Sequence, residues 1–268
     1  MATVEWKMGR GRGRVLLPLL LLMLLIALPG PGAYVSAEAS AAARSCVPEL
    51  PEYEEFSDYM SSLYEDIDLA GTVDYEVFEL AMIGYFNLLA DDLLKREYII
   101  TIIDYTLPST EERLAVIDLD ARELLHKSLV AHGRNTGENY AEDFSNEPGS
   151  LQSSLGFYVT EDEYVGAHGK SLKLSGVDTL YNDNAERRYI VVHGAWYCSE
   201  EFIEKYGRLG RSWGCPVLPI EMSKEIIDLV KDGTCMFMYS DDDEYLENSI
   251  YLEIDGAVEE FGKRHRAR

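Results

Sequence analysis

Six consecutive residues, Tyr98-Ile99-Ile100-Thr101-Ile102-Ile103, constrain this chain more than any other stretch. β-Branched side chains lose rotamer freedom in a helix and fit a pleated surface, so the run predicts a buried strand. Such a strand needs cover on its faces, and the flanking sequence shows what is available. Upstream, from Cys46 to about Arg96, apolar residues recur at helical spacing. Tyr53, Phe56, Tyr59 and Met60 share one face, and Asp74 is placed to cap a run through Leu94. In that run Phe78, Ala81, Met82, Tyr85, Leu88 and Leu89 form a packing stripe rather than a chemical site. Downstream, Leu114–Leu119, Ser128–Ala131, Leu155–Thr160 and Arg188–His193 predict strands, and Cys235–Tyr239 predicts a closing one. Glu200–Tyr206 predicts a short helix, and Met222–Lys231 an amphipathic helix stopped by Gly233. The expected fold class is α+β: a mainly β sandwich or barrel with a helical N-terminal extension. Residues 132–154, rich in Gly, Asn, Ser and Glu, read as a long loop, and long loops in compact domains often carry function.

The first 37 residues have a different character. Lys7, Arg10, Arg12 and Arg14 precede the apolar run Val15–Leu28, which is followed by Pro29-Gly30-Pro31-Gly32 and small residues. That order is the pattern of a secretory signal peptide, with cleavage expected after Ala37. The run falls short of the roughly 20 apolar residues that span a bilayer, so no permanent membrane span is expected. The chain then divides into a signal peptide (1–37), a helical segment (38–96), a catalytic domain (97–245) and a C-terminal tail (246–268) whose basic end, Lys263 to Arg268, is expected to fray. Export places the protein in the periplasm, the cell envelope or the medium. There Cys46, Cys198, Cys215 and Cys235 meet oxidising conditions, and full pairing allows three connectivities between which the sequence does not choose. The formal net charge of −24 argues against nucleic acid as a general partner, since phosphate backbones are held by Lys and Arg. Its plain alternative is a solubilising surface.

Two segments carry chemistry. The strand ending in Ile190-Val191-Val192-His193-Gly194 offers a base, and the turn Gly210-Arg211-Ser212-Trp213-Gly214-Cys215 offers a nucleophile. A thiol of ordinary pKa is only a few per cent thiolate near neutrality, so nucleophilic catalysis calls for a histidine within reach. Gly194 lets the backbone pass close to a partner, Gly214 lets the turn take positive φ, and amides of such a turn can form an oxyanion hole. Taken singly, a His-Gly or Gly-Cys dipeptide says little, because isolated cysteines are mostly buried small hydrophobes or disulfide partners.

The combination His193-Gly194 followed by Ser212-Trp213-Gly214-Cys215, then a helix and the strand ending near Tyr239, resembles the signature of the L,D-transpeptidase catalytic domain (YkuD-like). The resemblance extends over roughly Tyr98 to Tyr239. Two positions depart from it: the family usually has histidine where Trp213 stands, and a polar or basic residue where Val217 stands, which marks a divergent branch. The resemblance implies that Cys215 attacks the carbonyl of a peptidoglycan stem tetrapeptide, that His193 relays the proton, and that the Gly194 carbonyl orients the base. Ser212, Trp213 and Gly214 would position the turn and the oxyanion, and carbapenems would acylate Cys215. L,D-carboxypeptidase action on the same scaffold and a catalytically silent envelope-binding domain are the alternatives. His132-Gly133 and His168-Gly169 can line a donor groove or serve as turn residues. Arg208 and Arg211 can clamp substrate carboxylates or pair with the chain's own acids. Asp241–Glu244 lacks the spaced ligands and glycine of a calcium loop and reads as a solvated turn. The histidines do not stand at zinc spacing, so no metal and no cofactor are expected.

Overall fold

The first strand, β1 (Ile99–Asp104), is buried along its whole length, and the rest of the fold supplies its cover. A computed structural model describes residues 51–266; the expected signal peptide, its cleavage site and Cys46 lie outside the described residues. Two helices precede the sheet, α1 (Pro51–Ile67) and α2 (Tyr75–Ala90), the second capped as expected by Asp74, whose carboxylate accepts the Glu76 N–H at 2.9 Å. After β1 come β2 (Leu114–Asp118), β3 (Glu123–Ser128), β4 (Gly156–Gly166), β5 (Gly169–Gly176) and β6 (Val191–Gly194). The remainder is α3 (Glu200–Tyr206), β7 (Val217–Leu218), α4 (Ile220–Val230), β8 (Cys235–Tyr239), α5 (Asp243–Asn248), a 3-10 turn and α6 (Ile254–Arg266).

Among the described residues all eight strands join one sheet in the order β3-β2-β1-β8-β4-β5-β6-β7, with β1–β8 and β6–β7 parallel and the other pairs antiparallel. The chain leaving β3 returns to the far edge, where Ala131 pairs with Val217, so the sheet is nearly closed into a barrel. The protein is therefore α+β: one nearly closed eight-stranded sheet, with two helices ahead of it and further helices between and after its last strands. α2 lies directly on the sheet: a Cβ at Gly84 would meet the Phe157 ring at 1.9 Å, and Phe157 in turn stacks on Phe237 at 4.2 Å. Among the described residues no helix is long and apolar enough to cross a membrane.

Several elements differ from the sequence expectation. The third strand lies earlier, at Glu123–Ser128, because Leu129–Ala131 serves as the closing segment of the barrel. β5 went unpredicted, since its Gly-Lys-Ser-Leu-Lys-Leu-Ser-Gly sequence lacks β-branched residues and is held by pairing on both sides. The basic end does not fray over its described part. Lys263 to Arg266 complete α6, in which Phe261 packs on Phe56 and Phe86 and Arg264 pairs with Glu260 and Glu97. Asp241–Glu244 is no mere solvated turn either, for Asp242 caps α5 by accepting the Tyr245 N–H.

Candidate active site

β6 and β7 bring the two chemical segments together. They run parallel, with His193 opposite Val217, two residues beyond Cys215. The Cys215 S–H donates to the Tyr189 carbonyl at 3.5 Å, and the Val191 N–H also acts on the sulfur. The thiol thus sits two residues along β6 from the imidazole, and no hydrogen bond joins them among the described residues.

The turn before Cys215 is pinned from inside. Ser212 Oγ accepts the Gly214 N–H at 3.0 Å and donates to the Cys215 carbonyl at 2.6 Å. Gly214 has φ +124°, and a Cβ there would meet the Gln152 carbonyl oxygen at 2.6 Å, so glycine is required on both counts. The commitment of the Gly214 amide to Ser212 corrects one expectation: this amide is not open to an oxyanion. The Cys215 N–H, by contrast, has no partner among the described residues. Trp213 is 74% exposed and forms one wall of a cleft of about 320 Å³ shared with Arg134, Trp196, Phe202, Arg208 and Arg211.

The two buried histidines that precede glycines play opposite parts. His193 is 3% exposed, and its Nδ1–H donates to the Gly194 carbonyl at 3.2 Å, which leaves Nε2 with its lone pair. Burial pushes its pKa below the ordinary imidazole value, and the Gly194 carbonyl opposes that shift. His132 is 1% exposed, with Nδ1 accepting from Arg113 at 2.8 Å and Nε2 facing the Gly137 carbonyl at 3.4 Å. Burial, with Arg113 beside it, brings its pKa down to about 3. Of the two readings of His132, groove lining is therefore set aside: both its nitrogens are used within the core. His168 lies at the turn of the β4–β5 hairpin, its ring stacked on that of His193 with centroids 4.3 Å apart and planes 17° apart.

The arginines resolve toward internal pairing. Arg208 Nε lies 2.8 Å and Arg211 2.7 Å from the Glu138 carboxylate, so the fork expected for a substrate carboxylate already holds one from the long loop. Val217 is fully buried in β7, and its departure from the family pattern belongs to the core rather than to a substrate contact. Cys198 and Cys235, also free thiols, are buried at 0% exposure, whereas Cys215 is half-buried. Burial raises the Cys198 pKa to about 12 and raises that of Cys235 too. At Cys215 burial likewise raises the pKa, but the Val191 N–H and the Arg188 guanidinium pull it back.

Arg188 escaped sequence reasoning. Its guanidinium donates to the Ser145 carbonyl at 2.6 Å, the Gln152 carbonyl, and the Ser150 and Ser154 hydroxyls, and so ties the long loop to the nucleophile turn. The only local signal was a charged residue opening a β-branched run. Arg188→Met should lower stability by on the order of 2 kcal/mol, because the freed acceptors lose charge-assisted bonds worth about 1.5–3 kcal/mol each in favourable cases. Urea unfolding checks it, and an unchanged midpoint would show that the loop holds without the arginine.

The sequence matches the L,D-transpeptidase catalytic domain family over residues 69–239. Comparison with curated proteins gave no match. Similar solved structures include an L,D-transpeptidase from Mycobacterium smegmatis, at 12% identity and a TM-score of 0.34, covering 53% of this chain and 59% of that one. One from Mycobacterium tuberculosis has 12% identity and a TM-score of 0.35, covering 53% and 58%. A third, residues 123–326 of the enzyme from Xylanimonas cellulosilytica, has 13% identity and a TM-score of 0.30, covering 55% and 63%. The chain thus spans about three fifths of the length of these structures.

Proposed function

The chain belongs to the L,D-transpeptidase catalytic domain family, and from that premise we propose that it is a cysteine acyltransferase acting on peptidoglycan stem peptides. One observation carries the reading: the half-buried thiol Cys215 stands on a pinned turn beside a strand whose histidine has Nδ1 occupied and Nε2 open. His193 Nε2 accepts the thiol proton as sulfur attacks the carbonyl of a stem tetrapeptide. The tetrahedral oxyanion forms against the Cys215 N–H. Collapse breaks the peptide bond, His193 returns the proton to the departing D-alanine amine, and a thioester remains. An amine of a second stem then attacks the thioester, transfers a proton to His193, and restores the thiol as the new peptide bond forms. No metal or cofactor takes part in these steps.

We read residues 1–37 as the signal peptide that delivers this domain to the cell envelope, residues 38–96 as a helical segment ahead of the catalytic domain 97–245, and 246–268 as the C-terminal tail. The test is to mix purified disaccharide-tetrapeptides with the protein freed of residues 1–37. Cross-linked dimers with release of D-alanine are expected. Tripeptide monomers without dimers would instead assign hydrolysis, and unchanged substrate would assign a silent binding domain.

A further inference from the structure

His168 is the feature that the proposed reaction leaves unused. It occupies the two-residue turn Ala167-His168 between Gly166 and Gly169, at the far end of a hairpin whose β4 arm is bulged between Thr160 and Glu163. A histidine there is free to point into solvent, yet its ring lies nearly flat on His193. His168 is itself exposed, while His193 beneath it is almost completely covered.

The hairpin is tethered in this position. Lys170, two residues past His168, contacts Glu163 at 2.7 Å and Asp228 of α4 at 2.6 Å. Lys231 contacts the same two carboxylates at 3.3 and 3.0 Å. This cluster ties the hairpin to the helix that packs on β6, so the tip and the base share one support.

Resting on the reading of His193 as the general base, we propose that His168 is a positioning residue: its ring forms a lid over the His193 imidazole that keeps it dry and in the plane of its bond to Gly194. The other elements around His193 do not supply this function. β5 presents Ser171, β7 presents Val217, and α4 brings Ser223 against Gly194; none of these titrates in the working range. Cys215, on the turn, is the reaction partner. His168 is thus the ionisable neighbour whose charge acts on His193, in the same direction as burial.

The consequence has a definite sign. The base must be neutral to accept the thiol proton, and burial keeps it neutral to lower pH than an ordinary imidazole at about 6.5. Without the lid, water reaches the ring, the His193 pKa climbs toward that value, and the acid limb of kcat/KM moves to higher pH. A phenyl ring in place of His168 keeps the cover and drops the charge. Because burial is the larger cause, His168→Phe should behave nearly as the parent does.

The experiment uses full-length mature protein in the Cys215→Ala background, with labelled histidine, and follows the His193 ring resonances through a pH titration. Expected is a midpoint raised by about half a pH unit or more in His168→Ser, and held close to the parent value in His168→Phe. Turnover in the Cys215 protein should follow: His168→Ser loses about twofold to fourfold in kcat/KM near pH 6 with KM unchanged and recovers at higher pH. An unmoved His193 midpoint in His168→Ser overturns the proposal. A raised KM with an unmoved acid limb also overturns it, and assigns His168 to substrate binding instead. If no variant turns over substrate, the acyltransferase reading fails, while the resonance titration still decides whether the lid exists.

Discussion

Exposure of the protein freed of residues 1–37 to a carbapenem is expected to add one drug molecule, and peptide mapping to place it on Cys215. The physical case rests on a contrast among three free thiols. Cys198 and Cys235 are fully enclosed, and burial holds them far toward the neutral thiol. Cys215 is partly accessible, lies beside the Val191 N–H and Arg188, and has its own amide open to the oxygen of an attacked carbonyl. A strained β-lactam carbonyl meets both activation and stabilisation there and neither at the other two. Cys215→Ala should abolish the adduct, and Cys198→Ala or Cys235→Ala should leave it. Intact mass spectrometry reads the outcome. An adduct that persists in Cys215→Ala would move the nucleophile elsewhere, and no adduct in a folded, reduced sample that also leaves stem peptides unchanged would end the enzyme reading.

His193→Ala should lose on the order of 100- to 10,000-fold in turnover, the usual contribution of a general base. Stability should change less than activity, since the imidazole has a single hydrogen bond, to the adjacent Gly194 carbonyl. Stopped-time assays on tetrapeptides together with a urea melt separate the two effects. Activity near the parent level in a folded variant would overturn the assignment. His132 is not a candidate to stand in, because both of its nitrogens are engaged with Arg113 and Gly137.

What could be read from the sequence was whatever short-range pattern writes down. The β-branched run gave β1, the Cys235–Tyr239 strand fell within the expected bounds, and the capped stripe gave α2. β5 was invisible because two lysines and two serines alternate with its leucines, and only its neighbours hold it extended. α6 was hidden by its charges: Ala257, Val258 and Phe261 form its buried stripe, but the basic end suggested solvent. At the site, the His-Gly and Gly-Cys segments were legible, whereas the structure's discrimination between His132 and His193 depends on Arg113, nineteen residues from one of them in sequence and visible only through contacts. The same holds for Glu138, which pairs with Arg208 and Arg211 from the long loop, and for Arg188, half of whose partners are backbone carbonyls that carry no sequence signature.

The position of β8 has a consequence for how the molecule comes into being. This strand, last of the eight in sequence, is the seam of the sheet: β1 lies on one side of it and β4 on the other. A chain emerging N-terminus first can form the β1–β2–β3 meander and the β4–β5–β6 group, which the Ala131–Val217 bridge can link at the far edge, but the ladder between β1 and β4 waits for Cys235–Tyr239. Closure of so distant a pairing is slow compared with local folding. The central seam is thus the last part of the sheet to form.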